Sequence, residues 1–146
     1  MPTSTSIAET DIAAPAATVF AKLTDLSGFE SWPPHSGSYR GTREVSSADV
    51  SVGTSYRERT SAGPMTGRVI EIEADRLIAF EQRTDRGDLA IRIRYVLSRT
   101  DRGVHVTRTG RITTAGRLRL AHPLIVVAIR SENRRTLARL RRAVEA

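Results

Sequence analysis

Arg108, Glu58, Tyr56 and Asn133 are polar groups at positions where an apolar neighbour is expected. In "VHVTRTGRI", Val104, Val106 and Ile112 share one side of an alternating run, and Arg108 falls on that side. An unpaired arginine is costly to bury. Arg108 therefore pairs with a carboxylate, faces a pocket, or is turned out by a bulge near Gly110. Facing a pocket, its guanidinium could hold an anionic or enolate-like oxygen through a two-pronged contact. In "TSYRERT", Tyr56 and Glu58 share one side and Arg57 and Arg59 the other. Two arginines are better placed in solvent, which turns Tyr56 and Glu58 inward. A buried Glu58 needs a cation such as Arg108 or Arg68, the latter sharing parity with Ile70 and Ile72; an ordinary cross-strand ion pair is the plainer alternative. In "VVAIRSENRRTLARLRRAV", Val126, Ile129, Leu137, Leu140 and Val144 recur at helical spacing, and Asn133 interrupts their stripe. Its amide is satisfied by a backbone carbonyl or a water, or it orients a ligand oxygen. A helix phase one residue off would bring Arg130 or Arg134 inward instead.

Other chemistries lack their residues. The chain has no cysteine, and His35, His105 and His122 fit no metal-ligand spacing with each other. No phosphate-cradling glycine loop and no G-x-S-x-G turn is present. We expect no cofactor. Of 23 basic residues only Lys22 is a lysine, and the net charge is +7. The arginines are scattered and aromatic residues are few, which disfavours nucleic acid as a partner. The C-terminal arginines are the exception, with Arg135, Arg139 and Arg142 opposite the apolar stripe; a solvated helix face accounts for them. The start of the chain lacks the pattern of a signal peptide, and the longest apolar run, Leu124 to Ile129, is far short of the ~20 residues of a membrane span. The expectation is a cytoplasmic protein, monomer or homodimer.

The elements that must position these groups follow from periodicity. A short strand in "SIAETDIAA" precedes Pro15, which suits a first helical position, and a helix with Val19, Phe20 and Leu23 inward. "DLSGFESWPPHSGS" holds at most one further turn of helix. Six strands are then expected, Tyr39–Val45, Thr54–Thr60, Thr66–Glu73, Leu77–Arg83, Leu89–Arg99 and Val104–Thr114, joined by short turns and therefore antiparallel neighbours. In the fifth, Leu89, Ile91, Ile93, Tyr95 and Leu97 form an apolar side and Arg92 and Arg94 lie opposite, so the sheet has one covered face and one wet face. The long helix starting near Pro123 is the only element large enough to cover it.

That order, with "IAAPAATVFAKLTDLSGFESWPP" at the front, "VGTSYRERT", "MTGRVIEIEADRLIAFE" and "IRIRYVLSRTDRGVHVTRTGRI" in the middle and "NRRTLARLRRAVE" at the end, resembles the START-like or SRPBCC superfamily. It is closest in style to the polyketide cyclase/dehydrase branch, and the likeness spans essentially the whole chain as a single domain, 1–146. The resemblance implies an α+β helix-grip fold: a curved seven-stranded antiparallel sheet wrapped around a long C-terminal helix, with one or two short helices after the first strand. It also implies a cavity between sheet and helix that holds a hydrophobic small molecule, lipid or polyketide-like. It places Trp32 near the pocket mouth. The expected ligand-contacting set is Asn133, Arg108, Tyr56, Glu58, Trp32 and Tyr95. Carriage of such a ligand is the first functional expectation, and aromatase/cyclase or dehydratase chemistry on a poly-β-ketone the second. No catalytic residue is assigned.

Overall fold

The structure, a computed structural model, describes residues 2–28, 41–47, 49–60 and 63–145. Strand β1 (Thr3–Ile12) leads into helix α1 (Ala16–Thr24). Pro15 is extended and caps α1 from just outside it, and Ala16, Val19 and Leu23 form the buried side. A 3-10 turn at Leu26–Gly28 follows. The strands β2 (Gly41–Arg43), β3 (Ser55–Thr60), β4 (Gly63–Glu73), β5 (Leu77–Thr84), β6 (Leu89–Thr100) and β7 (Gly103–Thr114) come next. "GRLRLA" is a 3-10 segment, Gly116–Ala121, and α2 (His122–Glu145) closes the chain.

All strand pairs are antiparallel, in the order β1-β7-β6-β5-β4-β3-β2. Six strands have six residues or more; β2 is a three-residue edge strip, shorter than the Tyr39–Val45 expected, and residues 39 and 40 lie outside the described part. Short connections force each strand beside its predecessor, and β1 joins at the far edge by pairing with β7 along ten residues. One face carries Ile78, Phe80, Ile91, Ile93, Tyr95, Leu97, Val104, Val106 and Ile112, all buried. The other carries exposed Arg92 and Arg94.

Helix α2 covers the inner face chiefly over β1 and β7. Its expected phase holds, with Asn133, Leu137 and Leu140 buried. Sealing the two leucines contributes about 1.5–3 kcal/mol each. Ile125, Val126 and Ile129, on the same stripe but nearer the N-terminal end, are only partly buried. Val144, at the other end of the stripe, is also only partly buried. The first residue of the helix, His122, is held to β1 and β7 by hydrogen bonds with Ser4 Oγ at 2.8 Å and Thr114 Oγ1 at 2.9 Å. The tightest seat is therefore the middle, Asn133 to Leu140.

One strand departs from simple alternation. The β4–β5 register shifts between Val69 and Glu71, so Ile70 is an extra residue. Parity reverses across this bulge. Arg68 therefore does not share a side with Ile70 and Ile72 in the way alternation predicts: it is exposed, with its guanidinium 3.6 Å from Glu81 on the outer face.

Candidate functional site

Cross-strand rows on the inner face bring the polar residues together. Tyr56, Gly67, Gln82 and Ile91 lie in one row across β3, β4, β5 and β6. Gly67 has no side chain, and the Tyr56 ring occupies that space: a Cβ at Gly67 would sit 2.2 Å from Tyr56 Cζ. Laid across the glycine, the ring reaches the next strand. Gln82 Nε2 donates to Tyr56 Oη at 2.9 Å and to Glu58 Oε2 at 2.5 Å. Tyr56 also meets Phe80 edge-on, and Phe80 meets Tyr95 edge-on, with centroids 6.0 and 6.4 Å apart.

Arg108 stands opposite Tyr95 in the β6–β7 pairing, and no bulge turns it out. It is 7% exposed. Its Nε donates to Tyr95 Oη at 2.9 Å, and its guanidinium carbon lies 5.4 Å from that ring's centroid. Among the described residues no carboxylate pairs with it directly. Asn133 Oδ1 alone among them is a sealed side-chain polar atom without a partner, so the Arg108 terminal nitrogens and Glu58 Oε1 retain accessible space beside them.

Glu58 is 8% exposed and faces inward with Tyr56, as alternation in "TSYRERT" requires. Burial pushes its carboxyl up to about 8. The Arg108 charge and the Gln82 hydrogen bond oppose the rise, and the Glu132 carboxylate adds to it. At neutral pH Glu58 is therefore mainly the uncharged acid. Since Oε2 accepts from Gln82, the proton belongs on Oε1, the oxygen beside accessible space. The pairing with a cation expected for a buried Glu58 is replaced by neutralisation.

Asn133 is fully buried but stands apart from this cluster, over Gly110. Its Nδ2 donates to Ser6 Oγ at 3.1 Å and more weakly to Ser6 O at 3.3 Å. The amide ties α2 to β1. Trp32 lies outside the described residues, as do Phe29, His35 and Tyr39.

Two members of the cluster escape a reading of residue types. Gln82 shares parity with Ile78 and Phe80, a signal that the sequence does carry. Glu132 is buried on α2 one turn from Thr136, beside the apolar stripe, and its carboxylate lies 3.3 Å from Arg135. Helical spacing alone gives no reason to turn a glutamate toward the sheet.

A bent antiparallel sheet gripping a long terminal helix, with a polar cluster set in an otherwise apolar inner face, is the helix-grip architecture. Residues 4–145 match the family model described as "Polyketide cyclase / dehydrase and lipid transport", and the chain belongs to that family. No curated protein matches it. Among solved structures it resembles the TTHA0849 protein from Thermus thermophilus, with a TM-score of 0.77, 17% identity and 97% of each chain covered. The di-domain ARO/CYC BexL, from the BE-7585A biosynthetic pathway, gives a TM-score of 0.76 at 14% identity, over 99% of this chain and 50% of BexL. A norcoclaurine synthase point mutant from Thalictrum flavum, in complex with a transition state analogue, gives 0.72 at 11%, over 98% of this chain and 94% of that one. At such identities the likeness establishes the fold and not the guest.

Proposed function

We propose that this chain binds a hydrophobic small molecule, lipid or polyketide-like, between the inner face of the sheet and α2. The carrying observation is Arg108: a guanidinium inside the fold that packs on the Tyr95 ring and, among the described residues, is hydrogen-bonded only through its Nε. Its free donors would grip a carbonyl or anionic oxygen of the guest. Tyr95 holds the guanidinium in place, and Tyr56, with Glu58 behind it, supplies a second polar point across the aromatic row. Asn133 contributes by fixing α2.

Native mass spectrometry on protein taken directly from its host tests this. The expected spectrum contains a complex heavier than the chain by one small molecule, and Arg108→Met weakens its retention. A bare chain from gentle ionisation, with no retained mass for wild type, would overturn it.

A neutral buried acid near a guanidinium favours a second reading, dehydratase or cyclase chemistry. Water in the pocket would take the α-proton of a β-hydroxy ketone, Arg108 would stabilise the resulting enolate oxygen, and Glu58 would protonate the leaving hydroxyl so that it departs as water. Turnover of a β-hydroxy ketone that Glu58→Gln abolishes without loss of binding would support it. Binding with no turnover leaves carriage as the function.

A further inference from the structure

Five large hydrophobic side chains are exposed among the described residues, and three of them fall within eight positions: Leu120 at 90%, Leu124 at 75% and Val127 at 62%. They follow the spacing i, i+4, i+7 across the 3-10 segment and the first turns of α2, so they project from one side, opposite the buried stripe. Arg117, Arg119 and Arg130 flank them, all exposed, and no acidic residue occurs from Ala115 to Ser131. None of the three arginines has an ion-pair partner among the described residues; Arg119 donates to a backbone carbonyl, Gly116 O, at 3.3 Å. Further along, the outer face of α2 becomes arginine-rich through Arg134, Arg135, Arg139 and Arg142. The helix thus presents an apolar tip followed by a cationic flank.

From this we infer that the tip of α2 docks on an anionic lipid surface, with Leu120, Leu124 and Val127 entering the headgroup–acyl boundary and Arg117, Arg119 and Arg130 meeting phosphates. Apolar residues ringed by arginine are the composition of an interfacial anchor. A second copy of the chain fits the patch poorly, because a two-fold contact would set unpaired arginines against arginines with no carboxylate in the segment. The side chains project rather than line a groove, which suits a deformable bilayer better than the shaped pocket of a protein. The surface is separate from Arg108 and Glu58 and does not depend on what the interior holds.

Sedimentation of the full chain with vesicles decides the matter. Pure phosphatidylcholine vesicles are compared with vesicles containing one third phosphatidylglycerol, in low and high salt. Binding to the anionic vesicles is expected to exceed binding to the neutral ones by ~10-fold or more and to weaken in high salt. Leu120→Ser with Leu124→Ser should reduce it ~10-fold or more without altering the melting temperature, since both side chains are already in water. Arg117→Gln with Arg119→Gln and Arg130→Gln should remove the preference for anionic lipid. Equal binding to both vesicle types, or no loss in the leucine variant, would overturn the inference. So would a solution dimer dispersed by the leucine substitutions, or binding to poly-glutamate as tight as to anionic vesicles and unchanged by the leucine substitutions, which would mark an acidic protein as the partner.

Discussion

Glu58 and Glu81 are both buried glutamates of the same sheet, at 8% and 5% exposure, and they hold opposite charge states. Glu58 faces the inner side, where burial, helped by the Glu132 carboxylate, outweighs the Arg108 charge and the Gln82 hydrogen bond; its carboxyl rises to about 8. Glu81 sits on the outer side. Partial burial works against its ionisation there, but hydrogen bonds and charge from Arg83 and Arg92 outweigh that and hold its carboxyl below the usual range. Arg83 and Arg92 lie 3.0 and 2.9 Å from its oxygens, with Arg68 at 3.6 Å. Exposure is similar in the two cases, but Glu58 lies deep in the interior and Glu81 just under the outer surface, so burial prevails at Glu58 and is outweighed at Glu81. The cations within reach differ as well, because the arginines are distributed by face: Arg68, Arg83, Arg92 and Arg94 crowd the wet side of β4, β5 and β6, while Arg108 serves the inner side of β7.

The largest expected effect follows from Glu58. A raised carboxyl keeps its proton in the folded state while the unfolded chain loses it. Stability should fall as pH rises from 4.5 toward about 8 and then level off. At about 1.4 kcal/mol per pH unit the decline amounts to several kcal/mol. Glu58→Gln should leave stability little changed below pH 4.5 and remove most of the decline above it. Denaturant unfolding at a series of pH values measures this. A wild type with a flat profile across that range would mean that Glu58 is ionised inside and Arg108 compensates it.

Gly67→Ala comes next. The added methyl meets Tyr56 Cζ, Cε2 and Oη at 2.2 to 2.6 Å, so the ring must leave its place over β4. Overpacking of this kind costs about 1–3 kcal/mol. Losing the Tyr56 contact to Gln82 should change the near-ultraviolet circular dichroism as well. An unaltered spectrum and stability would show that the ring has room to shift, and that its position across the sheet is not fixed by the glycine.

Glu81→Gln should be smaller and of opposite pH sense to the Glu58 change. A depressed carboxyl contributes stability above its unfolded value that disappears as pH falls through the folded one. The substitution should therefore cost about 1 kcal/mol near neutrality, given that the three arginines are more than half exposed, and nothing at low pH. Added salt should shrink the difference. A cost that persists in acid would assign Glu81 a packing role in place of an electrostatic one.

These two carboxylates also mark how far residue patterns reach. β6 is legible because Leu89, Ile91, Ile93, Tyr95 and Leu97 alternate cleanly, and α2 because its stripe keeps helical spacing through 24 residues. The same parity places Arg108 and Glu58 inward. It fails at Arg68 because a single bulge at Ile70 inverts it, and no residue type announces the bulge. Glu81 escapes a local pattern because its three cations come from three strands, β4, β5 and β6, whose register is set only by the whole sheet. The neutral state of Glu58 likewise depends on burial inside the assembled fold and on Glu132 from the helix at the other end of the chain, against the Arg108 charge and the Gln82 hydrogen bond. Local pattern gives the side a residue faces; its charge state depends on partners that only the assembled sheet supplies.

The outer face offers a weak case of the same rule in His105. Its Nε2 and Nδ1 lie 3.1 Å from Glu9 and 2.8 Å from Asp11, and hydrogen bonds to those two carboxylates raise its affinity for a proton. The raised value places the gain below the unfolded histidine range, and the gain is lost as pH climbs through the folded value. The ring is about one third exposed and both carboxylates more so, which limits the contribution to a few tenths of a kcal/mol. His105→Gln should lower the melting temperature slightly at pH 5.5 and not at pH 8.5, an effect near the limit of calorimetry that rests on the same linkage as the others. An equal loss at both pH values would show that the ring supports β1 against β7 by contact alone, and that on this face partners within hydrogen-bond distance do not set the charge state as they do for Glu81.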